Sequence, residues 1–161
     1  MSQAPSIQLL LDTAYCLALI RHQPDHLEPD FARFKPGEVG VSSLTVAALQ
    51  ERAQKSRSPE RNRRALEQFL LPLAIANFDT TAAAVLGRIA AELAPQELAL
   101  DSHALLLAAH ALSLNATLIT PQAEQYVRVA DLRVNSGAGA ALAQLDMLPT
   151  AERKTPAEPV G

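Results

Sequence analysis

The sequence predicts an α/β fold in which a parallel sheet of short strands is covered by helices on both faces. Three observations carry this. Short apolar runs bounded by turn residues alternate along the chain with longer segments of helical character, as βαβ units require. The first run, Gln8-Leu9-Leu10-Leu11-Asp12-Thr13, ends abruptly in a carboxylate, like a buried strand delivering one charged group to a sheet edge. In an open parallel sheet that edge is where ligands and metals collect. The third observation is the segment over residues 102–114, apolar on nearly every side, which belongs in the centre of such a layered structure.

Taken in order, residues 14–21 follow the first strand as a helix that Pro24 breaks. Residues 25–34 read as a second short helix with Leu27, Phe31 and Phe34 on one side, although Pro29 falls inside it. After a turn at residues 35–38, residues 39–42 form a second strand. Ser43 or Thr45 then caps a helix over residues 46–54. Ser58 stands as the next N-cap with Pro59 in the first helical position, and residues 61–71 turn Leu66, Phe69 and Leu70 inward. Residues 73–77 are a third strand, and a helix opened by Thr80 or Thr81 runs to Leu93, where Pro95 stops it. The central helix precedes a fourth strand over residues 116–120, and residues 132–134 supply a fifth. The domain is expected to span residues 1–135. Residues 136–161, rich in Ala, Pro and Gly, are expected to be a mostly disordered tail.

At 161 residues the chain accommodates one domain with a full core. A 48% hydrophobic content with 4% aromatic residues makes that core one of Leu, Ala, Val and Ile. The net charge of −3 gives no global basic field for nucleic acid, so any such site must be local. A single cysteine, Cys16, excludes an internal disulfide framework and cysteine-based zinc. No run approaches the roughly 18 apolar residues of a membrane span. The first six residues lack the pattern of a signal peptide. A cytoplasmic protein without membrane attachment is the expectation.

The order of Leu10-Leu11-Asp12-Thr13, Gly37-Glu38-Val39-Gly40-Val41-Ser42-Ser43-Leu44-Thr45, and Lys55-Ser56-Arg57-Ser58-Pro59-Glu60-Arg61-Asn62 resembles the VapC branch of the PIN-domain family. Phe78-Asp79, Gly87-Arg88-Ile89-Ala90-Ala91-Glu92-Leu93, Ala108-Ala109-His110-Ala111-Leu112 and Ala116-Thr117-Leu118-Ile119-Thr120 follow in the family's order and spacing. The resemblance covers residues 7–135. It implies a three-layer α/β/α sandwich around a parallel sheet of four to five strands. It further implies a magnesium-dependent endoribonuclease toxin, paired with a VapB antitoxin and commonly a homodimer.

Such a nuclease needs clustered carboxylates, because magnesium is a hard cation that takes oxygen ligands at about 2.1 Å and gives up its water reluctantly. The ions activate a water and stabilise charge developing on the phosphate. The resemblance places the family's first acid at Asp12, with Ala14 where an Asn is usual. The second acid position, between Thr45 and Leu49, is Ala48. The third, six residues before His110, is Ala104, and the fourth, after Thr120, falls at Pro121 and Gln122. Asp12 alone remains as a catalytic acid and as a weak metal ligand. Glu51, Asp101 and Glu124 lie two or three residues from the lost positions, and on a helix three residues is a displacement of roughly 4.5 Å.

These residues imply a catalytically degenerate VapC-like protein that keeps the fold and acts as a protein-binding module, with no cofactor. It would be a decoy for an antitoxin, a regulatory subunit or a decaying toxin. The alternative is an active magnesium-dependent endoribonuclease using Asp12 with the displaced acids, or a site shared across a dimer. The basic cluster of Arg52, Lys55, Arg57, Arg61, Arg63 and Arg64 could track RNA, but no aromatic residues interleave with it for base stacking. A solvated surface with local ion pairs is the simpler expectation. His103 and His110, two helical turns apart, are too distant to share a metal, and His110 is read as a packing or hydrogen-bonding residue. Cys16 is read as a small core residue. By analogy with the family, apolar positions on the helices near residues 15–20 and 27–34 would receive an amphipathic helix of the antitoxin.

Overall fold

The computed structural model of the chain describes residues 6–21, 33–96 and 100–137. Strands β1 (Leu9–Leu11), β2 (Val39–Ser42), β3 (Ala74–Ala76), β4 (Thr117–Ile119) and β5 (Val134–Asn135) form one parallel sheet in the order β3-β2-β1-β4-β5. Helices α1 (Thr13–Ile20), α2 (Ser43–Gln54), α3 (Pro59–Leu70), α4 (Thr80–Leu93) and α5 (Ser102–Leu114) connect them, with short 3-10 turns at Ala94–Gln96 and Ala123–Tyr126. The expected fold class and the first four strands hold, and the fifth lies at Val134–Asn135 rather than residues 132–134. The helix expected over residues 25–34 falls almost wholly outside the described residues, as does residues 138–161 of the expected tail.

The leucine run explains the three layers. Successive side chains on a strand point to opposite faces. Leu9 and Leu11 therefore pack with Tyr15, Cys16, Leu49 and Leu66 beneath α1, α2 and α3. Leu10 packs with Ile89, Leu93, Leu107 and Ala108 beneath α4 and α5. Leu118 and Ile119 of β4 divide between the same two clusters. Each fully buried leucine contributes about 1.5–3 kcal/mol, so a strand apolar at every position is what a doubly covered sheet needs. Cys16 is buried and free, as its apolar surroundings suggest.

Helix starts differ in detail from the sequence expectation. The N-cap of α2 is Ser42, not Ser43 or Thr45: its hydroxyl accepts from the Leu44 N–H at 3.1 Å, because Ser42 is the last residue still in extended conformation. Ser58 occupies the N-cap position of α3 without making a side-chain cap bond. Asp79 caps α4 by accepting from the Ala82 N–H at 2.9 Å. Of the α3 side chains expected to point inward, Leu66 is buried, and Phe69 and Leu70 are half-buried against the same cluster. Among the described residues no helix is long and apolar enough to cross a membrane.

Candidate functional site

Strand order and register together define where a site forms. From β1 the chain proceeds to β2 and β3 on one side, then crosses to β4 and β5 on the other. The crevice between β1 and β4, outside their C-terminal ends, is the switch point where open parallel sheets hold ligands. Leu11 pairs with both Val41 and Ile119, so Asp12, Ser42 and Thr120 emerge level with one another at that edge.

Asp12 is 3% exposed. Its carboxylate accepts from the Tyr15 N–H at 2.6 Å, which caps α1, and from the Thr120 hydroxyl. Thr120 Oγ1 in turn accepts from the Gln122 N–H at 3.1 Å. Burial raises the Asp12 carboxyl above its ordinary range, opposed by the bonds from Thr120 and Tyr15 and by charge on His103. The carboxylate is thus engaged by the protein's own donors.

A cavity of about 210 Å³ lies over this edge, lined among others by Asp12, Thr13, Arg52, Asp101, His103, Ala104 and Gln122. A groove of about 820 Å³ between α1, α2 and α3 shares Thr13, Leu17, Arg52 and His103 with it, and adds Ile20, Ala48, Leu49 and Leu66. The positions at which the sequence looked for acids therefore converge in space: Ala104 and Gln122 beside Asp12, and Ala48 in the adjoining groove. Of the three displaced acids, one reaches the cavity. Asp101 reaches the cavity, exposed at the N-cap position of α5 without making a side-chain cap bond. Glu51 lies in the groove, ion-paired with Lys55. Glu124 is exposed on the 3-10 turn and lines neither space.

The donor set does not fit magnesium. Alanine methyls at 48 and 104 offer no ligand, the Gln122 amide carries no charge, the Asp12 carboxylate already accepts two hydrogen bonds, and Asp101 is the one further carboxylate of the cavity lining, exposed at its rim. Among the described residues no three His, Cys, Asp or Glu side chains are grouped to hold a metal ion.

Two features of the site escape a reading of short motifs. Thr13 Oγ1 lies 2.8 Å from His103 Nε2 and donates to Thr45 Oγ1 at 3.3 Å, joining α1, α2 and α5 over the edge. Arg52, read from sequence as one of a solvated basic cluster, instead lines both the cavity and the groove. Its signal was available: it stands one helical turn after Ala48, hence on the same face of α2. Elsewhere in the cluster the expected local pairing holds, since Arg63 bonds Glu60 and Glu67.

His110 is 1% exposed, with Nδ1 2.8 Å from Ser42 Oγ, the Phe78 ring edge-on at 5.3 Å, and Nε2 without a hydrogen-bond partner. It packs and hydrogen-bonds, as expected. Burial lowers its pKa below the usual histidine value, opposed by the charge of Asp79 and by the Asn77 backbone. The folded state therefore favours neutral imidazole. The stability this confers is full above the unfolded value of about 6.5 and is lost as pH falls through the lower folded value. Asp12 acts with the opposite sign, since a raised carboxyl stabilises only as it protonates. Thermal melts from pH 7.5 to 5 should fall less steeply for His110→Gln than for the unaltered chain. Parallel curves would remove His110 as the source.

The match to a PIN domain model extends over residues 9–132. The chain is 30% identical over 128 residues to the tRNA(fMet)-specific endonuclease VapC of Salmonella typhimurium, covering 80% of this chain and 96% of that protein. It is 34% identical over 130 residues to ribonuclease VapC2 of Haemophilus influenzae, covering 81% of this chain and 98% of that one. The crystal structure of DNA-bound VapBC from Salmonella typhimurium superposes with a TM-score of 0.74 at 30% identity, over 80% of this chain and 96% of the other. The chain belongs to the PIN-domain family, in its VapC branch of ribonuclease toxins.

Proposed function

We propose that this chain is a VapC-like protein without magnesium-dependent nuclease activity, which acts in the cytoplasm by binding a VapB-like antitoxin or a second copy of itself. The observation that carries the reading is the convergence of Ala104 and Gln122 on Asp12, with Ala48 in the adjoining groove. In this reading those positions are the remnant of a metal site whose carboxylates are absent. Two-metal and one-metal phosphodiester chemistry alike need clustered charge placed against the phosphate, and a buried, hydrogen-bonded Asp12 with an exposed Asp101 across the cavity is a weaker set than such chemistry uses. The partner reading is supported by the VapBC complexes among the similar structures and by the apolar floor of the groove, Leu17, Ile20, Leu49 and Leu66. Asp12 remains in this reading as the cap of α1.

Induction of the protein without any antitoxin should leave growth unchanged, and the purified chain should not cleave RNA with magnesium. Asp12→Asn separates structural from catalytic roles. Asparagine still offers a capping oxygen and removes a buried charge, so its melting temperature at pH 7 should hold or rise by a few degrees. Growth arrest or RNA cleavage that Asp12→Asn abolishes would sink the proposal.

A further inference from the structure

We infer that the partner segment received by the groove between α1, α2 and α3 carries an acidic side chain, seated against Arg52 where groove and cavity meet. The inference rests on the proposed binding role and adds the chemistry of one partner residue. Its basis is the charge left at the junction. The groove floor is apolar, and its rim holds Arg21, Arg52 and Lys55 against one acid, Glu51. Glu51 is already paired with Lys55. Arg52 is exposed and makes no ion pair among the described residues. Asp12 and Asp101 also line the cavity, but Asp12 is buried and held by Tyr15 and Thr120, and Asp101 forms no ion pair with Arg52.

The junction therefore differs from what a working cluster of acids would present. With alanine at 48 and 104, no described carboxylate of the groove forms an ion pair with Arg52, which stands one turn from Ala48 on the same helix face. A guanidinium accepts a carboxylate in a two-pronged geometry that favours one partner charge and repels the other. The apolar floor suits the hydrophobic stripe of an amphipathic peptide. Among the described residues no aromatic side chain lines the groove to stack on bases, so peptide is favoured over RNA.

The probe is a displayed library of helical peptides, selected on the full chain. Clones are kept if they bind the unaltered protein and are lost on Ala65→Trp, which fills the groove from an exposed position on α3. These groove-dependent clones should carry an Asp or Glu at one fixed offset from their apolar anchors. Their affinity should fall about tenfold or more on Arg52→Glu, a surface substitution, and exchanging the peptide's acid for Lys should restore it. Clones that are groove-dependent but neutral or basic at that offset, or indifferent to Arg52→Glu, overturn the inference and leave the binding role standing. A single-stranded RNA that occupies the groove in an Arg52-dependent way, with no acid preference among the peptides, also overturns it. Absence of any groove-dependent clone overturns both. Melting curves of each variant confirm that it is folded.

Discussion

Magnesium should leave the melting temperature of the unaltered chain unchanged and raise that of Ala104→Asp/Gln122→Asp by about 5–10 °C at a concentration a hundredfold above its Kd. Both positions line the cavity that holds Asp12. With Asp12 and Asp101 already lining it, the double variant gathers four carboxylates there and, without metal, should melt below the unaltered chain through like-charge repulsion and desolvation. A ligand bound only by the folded state stabilises it by about 2.7 kcal/mol at a hundred times Kd. In a domain of this size each 1 kcal/mol moves the midpoint by about 2–4 °C. Calorimetry on the same pair should detect magnesium binding to the variant alone. Equal magnesium dependence in the two proteins would show that a working site already exists without those acids.

Gly40→Val should cost about 3 kcal/mol or more, a drop of roughly 10 °C, measurable by thermal or urea unfolding. Gly40 lies in β2, between β1 and β3. A Cβ there would meet the Ala74 carbonyl oxygen at 2.7 Å and Ile7 Cδ1 at 2.8 Å. The carbonyl cannot step aside, because β3 is held to β2 in register at Gly40 and Ala74. Gly87 is the control: it sits exposed in α4 with open space around its Cα, so Gly87→Ala should gain about 0.5–1 kcal/mol from helix propensity alone. A Gly40→Val protein as stable as the unaltered chain would mean that β3 is not held where it is seen.

The layered fold was legible because it follows from periodicity. Leu9, Leu10 and Leu11 are apolar in succession, which only a strand buried on both faces makes sense of, and the helical segments between strands leave a parallel sheet as the solution. The boundaries that slipped were helix starts. Ser42, Ser43 and Thr45 are all competent caps, and the choice among them depends on where β2 stops pairing, which is set by β1 and β3. The candidate site was legible in part. Asp12, Ala48, Ala104 and Gln122 were named from motif order, and the register of β1 with β4 is what brings Asp12 and Gln122 to one crevice.

By itself the sequence determined the class of fold, the family it resembles and that Ala48, Ala104 and Gln122 bring no carboxylate. Those are properties of residue type and local period. Only the tertiary structure decided that the Asp12 carboxylate is already engaged by Tyr15 and Thr120, that Asp101 reaches the cavity while Glu51 pairs with Lys55, and that Arg52 lies between cavity and groove with no ion pair among the described residues. Each depends on which side chains from distant elements meet at the sheet edge. The physical reason is that a side chain's partners, and so its charge state and chemical competence, are set by packing across elements rather than by its neighbours along the chain.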